Sequence, residues 1–175
     1  MAELFNPRRV VDQLNISTGS TVADFGCGSG YFTLEIARAV GEKGKVFAID
    51  IVPETLESIR SLAKIRGLNN IETRWANLEK TSTLEPNSCD WVVMANLLFQ
   101  IDKNLQPRIF EESFNVLKKS GKLVIIEWKP ESLLGPPKEQ RLSLNEIIEM
   151  TNERNFKFIR TVEISDTNWC AIFQK

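Results

Sequence analysis

The stretch that decides the fold is Asp24-Phe25-Gly26-Cys27-Gly28-Ser29-Gly30, in which three glycines alternate with other residues. The run 21–24 predicts a strand that leads into this loop, and apolar residues at helical spacing follow it. Glycine lets a ligand approach the main chain closely, and ligands of open α/β sheets bind at the carboxyl ends of strands. Three alternating glycines exceed what a turn needs, so the loop predicts a ligand site. A tight turn without a ligand is the alternative.

The same loop argues against a dinucleotide, whose G-x-G-x-x-G fingerprint binds a pyrophosphate at a helix N-terminus. Counted from Gly26, the third glycine position holds Tyr31. Asp24, at the start of the loop, suits the cationic amino group of a methionine moiety rather than a pyrophosphate. A carboxylate that only caps the loop is the alternative for Asp24.

Asp50 ends the second predicted strand and is the next candidate for ligand binding. A carboxylate at this place can accept hydrogen bonds from both ribose hydroxyls of a nucleoside. Because dinucleotides and other nucleosides share the ribose, Asp50 predicts a nucleoside ligand without choosing among them. A cap for the helix that begins at Pro53-Glu54 is the alternative.

Outward from the loop, β-type runs alternate with helical runs. Strands are predicted at 21–24, 45–50, 71–75, 90–94 and 122–127. Most are apolar throughout, which is typical of parallel strands buried on both faces. The runs 158–164 and 169–173, joined by a short polar link, predict a closing antiparallel hairpin. The pattern predicts an α/β fold in a single domain that spans residues 1–175.

Local signals predict where several helices begin and end. Asn6 before Pro7 predicts the start of the first helix, and a capping box of Ser143 and Glu146 predicts the start of the last. Gly41 predicts the end of the helix that follows the glycine loop. The helices and strands therefore alternate in the order that a covered parallel sheet requires.

The composition excludes several kinds of chemistry. The chain has no histidine, which rules out Ser-His-Asp and Cys-His mechanisms and removes the commonest metal ligand. Its 3 cysteines lie far apart without zinc spacing, so we predict buried, reduced thiols and no metal site.

Charge and hydropathy also bear on partners and location. The net charge is −1, from 22 basic and 23 acidic residues, and no basic run occurs. This balance argues against a nucleic-acid partner. No stretch approaches the roughly 18 apolar residues of a membrane helix, and the first residues show no signal peptide. We predict a cytoplasmic protein without a membrane span.

Four segments resemble, in order, the motifs of the class I S-adenosylmethionine (SAM)-dependent methyltransferases. They are residues 22–32 for the first motif, 46–51 for the ribose-binding motif, 90–98 for the fourth strand and 116–123 for the turn into the fifth. The resemblance implies a Rossmann-like three-layer sandwich with a seven-stranded, mostly parallel sheet whose last strand is antiparallel. Ile126-Glu127-Trp128 and residues 135–143 are most similar to the small-molecule group that includes ubiquinone and menaquinone C-methyltransferases.

The resemblance implies a site for SAM as the methyl donor. Asp24 and the glycines would face the methionine part, Asp50 the ribose, and Ile51 the adenine. Asn77 stands where many relatives carry an aspartate that accepts the adenine amino group, and an amide oxygen can accept as well. The predicted cofactor-binding residues are Asp24, Gly26, Cys27, Gly28, Gly30, Asp50, Ile51, Asn77 and Leu78.

Methyl transfer from a sulfonium is an in-line displacement that needs alignment and exclusion of water, which suits a chain without histidine. Where relatives often have histidine after the fourth strand, this chain has Gln100. A mostly apolar wall with a few polar groups predicts a small-molecule acceptor. The candidate substrate-lining residues are Asn96, Phe99, Gln100, Glu127 and Trp128.

Each of these predictions has an alternative. Phe99 and Trp128 can belong to the core, and Glu127 can cap a strand end. The segment 1–9 is a candidate lid over the site. Three other functions stay open: a non-catalytic SAM-binding partner protein, an RNA or protein methyltransferase, and an NAD-dependent oxidoreductase, which Tyr31 and Asp24 disfavour.

Overall fold

The structure is a computed structural model that describes residues 5–175. The helices are α1 (Pro7–Leu14), α2 (Tyr31–Val40), α3 (Pro53–Ile65), α4 (Gln106–Val116) and α5 (Leu144–Asn152). The strands are β1 (Thr21–Phe25), β2 (Lys45–Asp50), β3 (Ile71–Trp75), β4 (Cys89–Ala95), β5 (Leu117–Trp128), β6 (Lys157–Val162) and β7 (Asn168–Gln174). Short 3-10 turns follow β4 at Leu98–Gln100 and precede α5 at Lys138–Gln140.

The strands form one sheet of seven in the order β3-β2-β1-β4-β5-β7-β6. β1 pairs in parallel with both β2 and β4, whereas β7 pairs antiparallel with β5 and β6. The predicted mostly parallel sheet with an antiparallel last strand is confirmed. The strand order reverses between β1 and β4, and ligands of such sheets bind at the crevice beside this point.

Successive side chains of the strands alternate between two apolar layers, because the side-chain period of a strand is two residues. On one face, Val22 and Val46 share a cluster with buried residues of α1 and α2. On the other face, Ala23 and Phe47 share a cluster with buried residues of α4 and α5. Leu56 of α3 packs in a smaller cluster with Ala48 and Cys27. Helices thus cover both faces, which confirms the three-layer sandwich.

The predicted helix caps are present. Asn6 Oδ1 accepts a hydrogen bond from Arg8 N at 3.0 Å, and Pro7 occupies the first turn of α1. Ser143 and Glu146 form the predicted capping box of α5. α2 ends at Gly41, whose N–H donates to the main-chain oxygen of Ala37. These short-range signals therefore position the helices correctly.

Two strand boundaries differ from the prediction by two residues or more. β5 begins at Leu117 rather than Lys122, because Leu117 is buried and pairs with Cys89 ahead of an irregularity in the β4–β5 register. β6 ends at Val162, before the predicted end at Ile164. Ile164 packs against the core although it lies outside the strand pairing, so its apolar character does not mark the end of a strand. Apolar character alone therefore overestimated this strand.

The predicted lid at residues 1–9 falls partly outside the described residues, which begin at Phe5. The Phe5 and Phe32 ring centroids lie 5.8 Å apart, and Asn6 to Arg9 form the cap and first turn of α1. Within residues 5–175, no helix has both the length and the apolar character that crossing a membrane requires.

Candidate cofactor-binding site

A cavity of about 380 Å³ opens at the carboxyl ends of β1, β2, β3 and β4. Seven of the residues predicted for the site line it, namely Gly26, Gly28, Asp50, Ile51, Asn77, Leu78 and Gln100. Six further lining residues were not predicted, namely Val52, Thr55, Ala76, Glu79, Leu97 and Ile101. The structure therefore brings most of the predicted cofactor residues to one cavity.

The glycine loop is shaped by close contacts on two sides. A Cβ at Gly26 would lie 2.6 Å from a methyl carbon of Leu97, and a Cβ at Gly30 would lie 2.6 Å from Ile59 Cγ1. A Cβ at Gly28 would meet nothing nearer than the Gly26 carbonyl oxygen at 4.0 Å. Gly28 also lines the cavity, so this is the point of the loop where a ligand can approach the main chain.

The Asp50 carboxylate joins the glycine loop to the start of α3. Asp50 Oδ2 accepts a hydrogen bond from Gly28 N at 2.9 Å, and Asp50 Oδ1 accepts one from Val52 N at 2.9 Å. Val52 is the N-cap residue of α3, so Asp50 Oδ1 helps to cap that helix, as the alternative interpretation of Asp50 predicted. Each carboxylate oxygen can accept more than one hydrogen bond, so both oxygens remain able to receive ribose hydroxyls.

Asp24 and Cys27 lie outside the cavity wall. Asp24 is 1% exposed and accepts a hydrogen bond from the Thr33 hydroxyl, while burial raises the pKa of its carboxyl to about 6. The Cys27 side chain is buried in the cluster with Ala48, and burial raises the pKa of its thiol. The structure therefore places both side chains in roles that support the loop, and their predicted contact with the methionine part stays a prediction.

Among the candidate substrate-lining residues, Gln100 reaches the cavity. Gln100 Nε2 donates to the main-chain oxygen of Asn96 at 2.7 Å. Asn96 has a left-handed backbone with φ 55°, and its Oδ1 accepts a hydrogen bond from Asn168 Nδ2 at 3.0 Å. These contacts hold the polar residues after β4 in a fixed arrangement next to the site.

The other candidates lie outside the cavity lining. Glu127 is 1% exposed, and its Oε1 accepts a hydrogen bond from Leu98 N at 2.6 Å. Burial raises the pKa of the Glu127 carboxyl to about 7, although the nearby main-chain N–H groups oppose this rise. The Trp128 indole packs so closely on Gly135 that a Cβ there would lie 2.5 Å from two ring carbons, and Phe99 is half-buried.

The comparison with known families identifies the fold. Residues 16–173 match the family described as Methyltransferase domain. The chain belongs to this family. A crystal structure of a SAM-dependent methyltransferase from Aquifex aeolicus superposes with a TM-score of 0.89 at 30% identity, covering 98% of this chain and 90% of that one. The predicted class I SAM-dependent methyltransferase fold is confirmed, and SAM is the cofactor of the family.

Curated relatives of this methyltransferase domain include enzymes that act on small molecules. A demethylmenaquinone methyltransferase from Oceanobacillus iheyensis is 29% identical over 123 residues, which are 70% of this chain and 50% of the relative. Aklanonic acid methyltransferase DauC from Streptomyces sp. strain C5 is 45% identical over 71 residues, 39% of this chain and 32% of the relative. The chain spans about half the length, or less, of these relatives.

Sequence reasoning missed site residues that resemble ordinary core or turn residues. Leu97 and Ile101 are apolar residues beside the 3-10 turn after β4, and their position after a strand was the one signal that could have found them. Asn168 begins β7, which runs antiparallel, so its side chain arrives at the same edge as the ends of β4 and β5. The sequence placed Asn168 in the hairpin link instead.

Proposed function

We propose that the chain transfers the methyl group of SAM to a small-molecule acceptor. The observation that carries this proposal is the cavity at the carboxyl ends of β1 to β4, where Gly28 leaves open space and Asp50 offers carboxylate oxygens. When bound there, SAM would supply an activated methyl group on its sulfonium. The residues of this chain would bind SAM and align its methyl group with the acceptor. We also propose the predicted cytoplasmic location.

Alignment of the donor follows from the rigid contacts around the cavity. The main chain at Gly28 and the carboxylate of Asp50 would fix the two ends of the SAM ribose–methionine unit, and Leu97 and Ile101 would exclude water. Gln100 is the polar side chain after β4 that lines the cavity, and it would position the acceptor. No general base is required where the acceptor is already ionised or loses its proton easily.

A small acceptor is supported by the surroundings of the site. The demethylmenaquinone and aklanonic acid methyltransferases are named for small-molecule acceptors. The cavity wall is partly apolar with a few polar groups, as is usual for such ligands. The chain is close to neutral, with 22 basic and 23 acidic residues, which does not favour a polyanionic acceptor.

The proposal is tested by offering radiolabelled SAM to the purified protein together with small-molecule extract, total RNA or total protein. We expect label to move into the small-molecule fraction. Label that appears only in RNA or protein would contradict the small-molecule acceptor and leave the SAM site standing. Binding of SAM without transfer to any fraction would identify a non-catalytic partner protein instead.

A further inference from the structure

A left-handed residue joins β4 to the cavity wall. Asn96 follows the last residue of β4 and has a φ of 55°, in a region that favours glycine, although asparagine enters it too. Leu97 comes next and lines the cavity. One of its methyl carbons lies so close to Gly26 that a Cβ on Gly26 would be 2.6 Å from it. The backbone of Asn96 therefore directs Leu97 onto the glycine loop.

The Asn96 side chain is held from β7, the antiparallel strand. Asn168, the first residue of β7, donates a hydrogen bond from Nδ2 to Asn96 Oδ1 at 3.0 Å. Asn168 is 1% exposed, and its own Oδ1 accepts a hydrogen bond from the Thr167 hydroxyl at 2.8 Å. Since both ends of this buried carboxamide are hydrogen-bonded, it offers Asn96 a fixed partner. Asn168 lies outside the cavity lining, so it acts on a ligand there through the residue it holds.

The main chain has anchors on either side of this point. Asn96 N donates to the main-chain oxygen of Ile126 at 2.8 Å, and Leu98 N donates to the buried Glu127 carboxylate at 2.6 Å. These contacts leave the peptide unit after Asn96 to be oriented by the backbone angles of Asn96 itself. The hydrogen bond from Asn168 fixes the side chain of that residue, and it therefore supports the left-handed form.

We propose that Asn168 is a positioning residue for ligand binding, because it holds Asn96 in its left-handed form and so keeps Leu97 against the glycine loop. This inference rests on the proposed SAM-binding function. Without the hydrogen bond, Asn96 relaxes toward the commoner backbone regions and Leu97 moves away from the loop. The fraction of molecules that is competent to bind then falls, and the apparent dissociation constant rises in proportion.

The experiment is titration calorimetry of the wild type and of Asn168→Ala, with S-adenosylhomocysteine as the probe. Loss of one hydrogen bond should raise the dissociation constant by about 3- to 10-fold. Ser113→Ala is the matched control, because it removes a buried hydrogen bond in α4, from the Ser113 hydroxyl to the main-chain oxygen of Ile109 at 2.7 Å. This control should lower the Tm and leave the dissociation constant unchanged, since Ser113 lies outside the cavity lining.

A double-mutant cycle tests whether Asn168 acts through Asn96. Glycine adopts a positive φ without support from a side chain, so in the Asn96→Gly protein the further change Asn168→Ala should alter the dissociation constant by less than about threefold. Asn96→Ala gives a second test that leaves Asn168 in place. Alanine lacks both the acceptor and the freedom of glycine, so Asn96→Ala should bind S-adenosylhomocysteine about 3- to 10-fold more weakly than Asn96→Gly.

The outcomes distinguish this inference from the proposed function. A folded Asn168→Ala protein that binds within about threefold of the wild type overturns the inference alone. The inference also fails if Asn168→Ala weakens binding as much in the Asn96→Gly protein, if Asn96→Ala and Asn96→Gly bind equally, or if Ser113→Ala loses as much affinity. Failure of the folded wild-type protein to bind S-adenosylhomocysteine overturns both the SAM-binding function and the inference that rests on it.

Discussion

Gly28 and Gly30 serve the same loop for different reasons. Both have positive φ, +47° at Gly28 and +78° at Gly30, so any side chain strains the backbone at either position. A Cβ at Gly28 would enter open space at the cavity, whereas a Cβ at Gly30 would press on Ile59 in the core. A substitution at Gly28 should therefore affect ligand binding, and one at Gly30 should affect folding.

Gly28→Val is expected to lose binding of S-adenosylhomocysteine while its circular dichroism stays native, because the valine side chain fills space that the ligand needs. Backbone strain should lower the stability by about 1–2 kcal/mol. Gly30→Ala is the matched comparison, and its overlap with Ile59 should lower stability further. Calorimetry that gives wild-type affinity for Gly28→Val would mean that the ligand does not approach the loop at this point.

Asp50→Ala should weaken binding of S-adenosylhomocysteine by roughly 10- to 100-fold, because hydrogen bonds from ribose hydroxyls to a charged acceptor are lost. The variant should also unfold more easily, since Gly28 N and Val52 N lose their acceptor. Asp12→Ala, at an exposed aspartate of α1, is the control for loss of one negative charge. A folded Asp50→Ala protein with unchanged affinity would show that Asp50 only caps α3.

At the scale of elements, the end of β5 holds the 3-10 turn that follows β4. The buried Glu127 carboxylate accepts a hydrogen bond from Leu98 N, the first residue of the turn. Leu97 and Ile101 on either side of this turn line the cavity. Glu127 therefore acts on the site by positioning the turn.

The raised pKa of Glu127 predicts a pH-dependent stability. Its folded-state pKa of about 7 lies above the ordinary value of 4.5, so ionisation costs more in the folded protein than in the unfolded chain. The contribution of the protonated Glu127 carboxyl to the free energy of unfolding is therefore full below pH 4.5 and is lost as the pH rises through about 7. Asp24, with a pKa raised to about 6, changes stability in the same direction.

Urea unfolding of the wild type and of Glu127→Gln at pH 5 and pH 8 measures this effect. The neutral glutamine can still accept a hydrogen bond from Leu98 N. The free energy of unfolding of the variant should therefore rise relative to that of the wild type as the pH rises, by on the order of 3 kcal/mol at most. Asp24 is present in both proteins and cancels in the comparison. If the wild type instead becomes more stable relative to Glu127→Gln between pH 5 and pH 8, the ionised carboxylate is the form that the folded protein stabilises.

The sequence could predict the elements and the part of the site that depends on local spacing. Alternating glycines after β1, and Asp50 at the end of β2, are local patterns, and the structure places Gly28 and Asp50 at one cavity. The orientation of Asp24 and Cys27 depends on Thr33 of α2 and on the packing of α3, which no local pattern encodes. The hydrogen bond from Glu79 N to Asn77 Oδ1 at the cavity wall is likewise visible only in the folded chain.

At the scale of the whole molecule, the strand order creates the site. β1 lies between β2 and β4, so the glycine loop, Asp50 and the residues after β4 meet although they are distant in sequence. Family membership and the match to residues 16–173 support the same architecture. The single domain over residues 1–175 stays a prediction, since the chain spans about half the length, or less, of the demethylmenaquinone and aklanonic acid methyltransferases.

The central claim is that this fold holds SAM at the glycine loop, and the most direct test is thermal unfolding of the wild-type protein with S-adenosylhomocysteine or with NAD. At about 100 times its dissociation constant, S-adenosylhomocysteine should stabilise the fold by roughly 2.7 kcal/mol and raise the Tm. NAD at the same concentration should leave the Tm unchanged, because Tyr31 occupies the third glycine position of the dinucleotide fingerprint. A Tm raised by NAD and unchanged by S-adenosylhomocysteine would contradict the account.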